Sequence, residues 1–192
     1  AANWLDGLGQ AADRLAAAVA DLPVQWGGAA GTLASLSGHV DRAHRAGTLG
    51  PEVTAFTLVE DLAAELGLAA PAGPWDTNRM AVTGVAAALA DVVAACGKIA
   101  NDVLTSARIE DGELGDPLAA GRGGSSAMPH KQNPVLSVLI RSAALSAPGL
   151  AARVYTAAGA ADDERPDGAW HAEWPALRRL LQSPVVAAWP CL

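Results

Sequence analysis

Aromatic residues and cysteines are scarce in this chain. Six tryptophans, one tyrosine and one phenylalanine make up 4% of its 192 residues. The two cysteines, Cys96 and Cys191, lie far apart, which speaks against a disulfide framework or a cysteine-based metal site. A purely apolar run of about 18 residues is also missing. The longest candidate, Val82 to Ala100, is interrupted by Asp91 and Lys98. Neither strand-type alternation nor an internal repeat occurs. The opening "AANWLDGLGQ" has no methionine and no basic-then-apolar leader, and it is already helical in pattern. It reads as the start of a piece cut from a longer polypeptide. Positive charge is in short supply, with 13 basic against 20 acidic residues and a net charge of −7. That balance argues against nucleic acid or a membrane surface as the main partner.

What remains is alanine, leucine and valine, within a hydrophobic content of 51%. This mix favours helix over sheet, and the length suits one domain with a real core. The pattern predicts a helix over Asn3–Ala20, with Leu5, Leu8, Leu15 and Val19 apolar and Pro23 ending it. "QWGGAAGTLASLSG" reads as a glycine-rich turn running into a short apolar stretch. "TLGPEVTAFTLVEDLAAELG" reads as a second helix, with Pro51 in its first turn and Gly67 as its C-cap. From Asp76 to Arg108 there is no proline. There Val82, Val85, Leu89, Val92, Cys96, Ile99 and Val103 form a heptad seam. Such a rod exceeds what one short chain can cover, so helices from other subunits are expected against it. A further helix is expected from Val135 to about Ala158, kinked at Pro148, and a last one begins at "AWHAEWPALRRLLQ". The closing "SPVVAAWPCL" shows no period. The fold class is therefore all-α, a long-helix bundle.

"GRGGSSAMPHKQNP", Gly121 to Pro134, differs from everything around it. It carries Arg122 and Lys131 and no acid, so 13 − 2 = 11 basic residues face all 20 acids elsewhere. A basic loop in an acidic protein is a natural resting place for an anion. The loop ends at a helix N-terminus, whose free N–H groups favour negative charge. Gly123 and Gly124, ahead of Ser125 and Ser126, allow backbone N–H groups to approach a ligand closely, as in an oxyanion site. Proton transfer beside a carboxylate would suit such a loop, with a serine as acid/base in a positive, water-excluding setting. The plain alternative is a flexible connector in which Asn133 caps a helix and Pro134 opens it. The glycines also lead to the expectation that Gly115–Met128 is mobile without ligand.

"GGSSAMPHKQNP" resembles the signature of the fumarase/aspartase superfamily, G-S-S-x-M-P-x-K-x-N-P. Gly124, Ser125, Ser126, Met128, Pro129, Lys131, Asn133 and Pro134 meet every fixed position. "VQWGGAAGTLASL", "PWDTNR" and "GAWHAEWPALRRLL" are similar to the 3-carboxy-cis,cis-muconate cycloisomerases of that superfamily, and the likeness runs to about Leu181. It implies a central helical-bundle domain over 1–192. Two upstream catalytic regions would precede Ala1, and a C-terminal domain would be missing. It further implies a cytoplasmic homotetramer whose active sites are shared between subunits, acting on a small polycarboxylate without metal or organic cofactor. Ser125 would be the catalytic acid/base. Lys131 and Asn133 would bind substrate carboxylate, with Ser126 and Met128 in the same closing loop. Ser126 has a backbone-only alternative.

By the same likeness Thr77, Asn78 and Arg79 would line the substrate site. This chain departs there, with Asp76 for the usual His and Asn78 for Gln, which shortens the amide's reach. Thr77 or Asp76 acting simply as a cap of the long helix is the competing reading. Trp170, His171, Glu173 and Trp174 match the family's tail motif and read as packing. Gly27–Thr32 lacks the lysine of a P-loop and reads as a turn. His39 and His44 read as surface residues.

Three functions follow. The first is closure of a γ-lactone by addition of one carboxylate of 3-carboxymuconate across a double bond. The second is a superfamily lyase reaction releasing fumarate from a succinyl adduct such as adenylosuccinate. The third is a non-catalytic helical module that only oligomerises.

Overall fold

The computed structural model describes residues 1–108, 114, 123–124, 128 and 133–189. They form six helices: α1 (Ala2–Ala20), α2 (Ala34–Arg45), α3 (Ala55–Leu66), α4 (Met80–Ser106), α5 (Val135–Gly159) and α6 (Ala169–Ala188). No strand occurs among the described residues. A single parallel bridge, Pro23 with Ala69, ties the end of α1 to the end of α3. The all-α expectation holds.

α4 is the central rod, packed against α5, α6 and α1. Its buried residues are small: Ala86, Ala88, Val93, Cys96, Gly97 and Ala100 lie inside together with Val85 and Leu89. They meet Ile140, Ala147, Ala151 and Val154 of α5 and Ala176, Leu180 and Ala187 of α6. Small side chains let helix axes approach closely. A Cβ on Gly97 would overlap the Ala144 Cβ of α5. The Gly97→Ala change sets a helix-propensity gain of about 1 kcal/mol against overpacking of about 1–3 kcal/mol. The clash is with a side chain rooted in backbone, so overpacking wins. We expect a lower Tm for Gly97→Ala, restored in part by adding Ala144→Gly. A rise in Tm for the single variant would refute this contact.

α2 and α3 form a satellite around Val24, Leu33, Ala55, Val59 and Ala63. α3 starts on a reciprocal cap: Thr57 N–H donates to the Thr54 hydroxyl (3.1 Å), and Thr54 N–H donates to the Thr57 hydroxyl (2.8 Å). Gly67, at φ 65°, closes it.

Several expected details change. The long helix begins at Met80 rather than Asp76, because 76–79 form its turn-like entry. Its buried stripe takes Val93 and Ala100, whereas Val92 and Ile99 of the heptad seam are half-buried. A straight helix drifts from a strict 3.5-residue repeat, which accounts for the offset. Pro51 precedes α3, whose cap is Thr54. α2 replaces the short apolar stretch. Pro148 lies inside an unbroken α5. α6 runs through Pro175 and Pro184 into "SPVVAA", where Pro184 and Ala187 are buried. Leu5 and Val19 are exposed rather than core. His44 is half-buried, with its Nε2 shielded from solvent.

By length and composition α4 and α5 would suffice to cross a bilayer. In this fold α4 is a core helix, and its apolar content is used against α1, α5 and α6. α1 is fixed to α4 at the far end, where Trp4 Nε1 donates to Asp102 (2.7 Å). Lys98 also bonds Asp102, and these two hydrogen bonds, Lys98's first, hold the Asp102 carboxyl below its ordinary value.

Candidate functional site

The two candidate segments lie at opposite ends of α4. The 70–79 segment has no helix or strand of its own and is held by side chains. Trp75 N–H donates to Gln25 Oε1 (3.1 Å), and its indole Nε1 donates to the Val24 carbonyl (2.9 Å). Gln25 in turn bonds Asp76 Oδ1. Asp76 Oδ2 is buried under the glycine turn, with no hydrogen-bond partner among the described residues. A Cβ on Gly27 would stand 2.8 Å from it, and one on Gly31 3.0 Å. These glycines keep room for a neighbouring carboxylate; the stretch is a turn, as expected.

Arg79 makes the strongest contact of this segment. Its Nη2 donates to Glu173 Oε1 (2.6 Å) and its Nε to Glu173 Oε2 (3.0 Å). Nη1 reaches the Asp76 carbonyl (3.3 Å), and the guanidinium lies 5.4 Å from the Trp75 ring centroid. Glu173 is 1% exposed. The tail motif was expected to be packing; its glutamate is half of a buried ion pair, a role that only Arg79's position reveals. Trp170 and Trp174 do pack, as a stacked pair with His171 tilted against Trp174. Neither Thr77 nor Asp76 caps α4. Asn78 does so in part, its Oδ1 accepting from Met80 N–H (3.3 Å). A cavity of about 540 Å³ opens beside Asn78, lined also by Pro23, Pro71, Trp75 and Met80.

At the other end, Asn133 is not the N-cap of α5; Pro134 holds that position and no side-chain cap bond is made. Asn133 turns back instead. Its backbone N–H and its Nδ2 both donate to the Gly123 carbonyl, at 2.8 and 3.2 Å. Gly123 has φ 79°, and a Cβ there would stand 2.9 Å from the Asn133 carbonyl oxygen. Glycine is required at this clamp. It pins both ends of the signature loop beside the start of α5. Met128 is exposed. Ser125, Ser126 and Lys131 lie outside the described residues, as does most of Gly115–Met128, whose expected mobility falls there too.

α4 has 27 residues, about 40 Å at ~1.5 Å each. Thr77, Asn78 and Arg79 precede its first turn, whereas Asn133, with Gly123 clamped to it, lies toward its other end. α5 meets α4 at Gly97–Ala144, and α6, which follows α5, returns to the start of α4 at the Arg79–Glu173 pair, so α5 runs antiparallel to α4. One copy of this chain does not bring the two groups together.

A family model described as lyase matches residues 45–149, more than half of the chain, spanning α3 to α5. Over 182 residues the chain is 50% identical to a nitrosuccinate lyase from Streptomyces davaonensis, covering 95% of this chain and 37% of that protein. It is 42% identical to a 3-carboxy-cis,cis-muconate cycloisomerase from Bradyrhizobium diazoefficiens, covering 94% and 37% respectively. The crystal structure of the 3-carboxy-cis,cis-muconate lactonizing enzyme from Pseudomonas putida superposes with a TM-score of 0.75 at 34% identity, over 97% of this chain and 40% of that one. The chain thus spans little more than a third of the length of these relatives.

Proposed function

Because this chain belongs to the lyase family of the fumarase/aspartase superfamily, we propose that it carries the central bundle of an enzyme for proton transfer beside a carboxylate. The carrying observation is the basic signature loop, clamped through Gly123 and Asn133 at the N-terminus of α5. Ser125 exchanges the proton, and Lys131, Asn133 and the N–H groups near Gly124 hold the charge that develops on the carboxylate. Ser126 and Met128 belong to the same closing loop. Thr77 and Asn78 line a second part of the site, on a segment placed by Arg79. The length of α4 between the two parts supports a site completed by another copy, within a homotetramer in the cytoplasm. Exposed apolar residues such as Leu145 and Leu181 fit that association. The domain reading remains a single central bundle over 1–192.

The substrate we favour is a nitrosuccinate-type adduct, on the strength of the 50% identical relative. A proton leaves the carbon beside one carboxylate, the neighbouring C–N bond breaks, nitrite departs with its electron pair, and fumarate remains. The cycloisomerase reading is the second, favoured by the 42% identical relative and the "GAWHAEW" likeness. There a carboxylate oxygen adds to a double bond and the neighbouring carbon takes the proton.

One assay separates them. The full-length protein is given nitrosuccinate, with nitrite and fumarate measured, and 3-carboxymuconate, with loss of its conjugated absorbance measured. We expect stoichiometric nitrite and fumarate. Lactone formation alone would select the second reading. Turnover of neither would leave a lyase for another succinyl adduct, such as adenylosuccinate, or the non-catalytic module.

A further inference from the structure

We propose that Glu173 is a positioning residue for the substrate site, acting through Arg79 on Thr77 and Asn78. This rests on the reading above that those two residues line the site.

Few side-chain contacts hold the 70–79 segment. It borders no strand and precedes α4 as a turn. Its anchors are Gln25, the Val24 carbonyl and Glu173. The first two hold Trp75, and Gln25 also holds Asp76. On the far side of Thr77 and Asn78 the chain enters α4, where Thr83 N–H donates to the Arg79 carbonyl (2.9 Å). Among the described residues the Arg79–Glu173 pair is the ion pair that fixes this side of the segment to another element. The pair is bidentate, which fixes the guanidinium plane as well as its position. It is also dry: Glu173 is 1% exposed and the Arg79 side chain 13%. Arg79's remaining nitrogen turns back to the Asp76 carbonyl, and its face lies over Trp75. Three of Arg79's five N–H donors are engaged in this way, two on Glu173 of α6 and one on its own segment. With its charge already matched by a carboxylate, it is poorly suited to meet a substrate carboxylate directly. Thr77 and Asn78 are strung between the two anchored points, Trp75 and Arg79.

The pair also couples the segment to α6. Glu173 sits in the second turn of α6, on its buried face with Ala169, Ala176 and Leu180. A change in how α6 packs on α5 would be transmitted to Thr77 and Asn78 through one rigid fork.

The test uses the full-length protein. Glu173→Gln keeps the shape but lifts the counter-charge. Arg79→Glu with Glu173→Arg reverses the pair. For Glu173→Gln we expect KM to rise about tenfold or more with kcat reduced less, because substrate is met by a displaced segment. We expect faster hydrogen exchange at the amides of 75–79, with α4 and α5 protection retained. The reversed pair should recover part of KM. If Arg79 itself bound the substrate carboxylate, freeing it in Glu173→Gln would lower KM, and the reversed pair, with glutamate at 79, would abolish binding. Either result overturns the proposal. A lower Tm with kcat and KM unchanged overturns it too, as a purely structural role. Should the reversed pair fail to fold, Glu173→Gln alone decides through KM and exchange. Should the wild type turn over neither substrate, the functional reading fails. The exchange data then stand alone, and unchanged protection at 75–79 in Glu173→Gln overturns the clasp.

Discussion

Ser125→Ala should lower kcat of the full-length protein by about 10²–10⁴, the usual worth of a positioned acid/base, while KM changes little. The substitution removes the group that carries the proton and leaves the anion-holding groups in place. Lys131→Ala should behave differently. The lysine meets carboxylate charge in both ground and transition states, so KM rises as well. Steady-state kinetics on whichever substrate turns over read both effects. Equal kcat for wild type and Ser125→Ala would show that the serine is only part of a connector. The Gly123–Asn133 clamp gives a control, because it is built from backbone and Asn133 and does not involve Ser125. The alanine variant leaves both clamp bonds in place, so its Tm should stay close to that of wild type.

Glu173→Ala should be the most destabilising single change at the other end of α4. It leaves the Arg79 guanidinium in a largely dry site, with its facing carboxylate gone. Breaking one partner of a buried pair costs about 3–5 kcal/mol. The pair itself has little net worth, since both charges were taken out of water to make it. Arg79→Met with Glu173→Leu should consequently recover most of the loss in denaturant unfolding. The single and double variants together separate an unpaired charge from lost packing. If the double variant is as unstable as Glu173→Ala, packing around Ala169 and Ala176 is the cause. The same double variant should still raise KM if the pair positions Thr77 and Asn78, because Met and Leu supply no directional contact.

The amino-acid sequence by itself determined the class of the fold and the family. Alanine-rich helical periodicity needs no partner to be recognised, and a proline-free stretch from 76 to 108 announces a long helix whatever surrounds it. Eight matched positions in Gly124–Pro134 name a family because so many fixed residue types at fixed spacing do not coincide by composition alone. Local capping was partly legible: Gly67 was read correctly, whereas Pro51 drew attention from the Thr54–Thr57 box beside it.

Only the tertiary structure decided which face of α4 is buried, because the heptad seam and the 3.6-residue helix diverge over 27 residues and the neighbours choose between them. It also decided that "SPVVAA" is helical. A proline discourages that locally, and burial of Pro184 and Ala187 against the bundle outweighs the penalty. The roles of Asn133 and Glu173 are of the same kind. An asparagine before a proline reads as a cap until Gly123, ten residues away, presents its carbonyl. A glutamate in an aromatic motif reads as packing until Arg79, 94 residues away in the chain, closes on it. Pairings at such separations leave no periodic trace, since they depend on where two helix ends meet in space. The separation of Asn78 from Asn133 is likewise a property of the antiparallel α4–α5 packing, which places the two sequence motifs at opposite ends of the same rod.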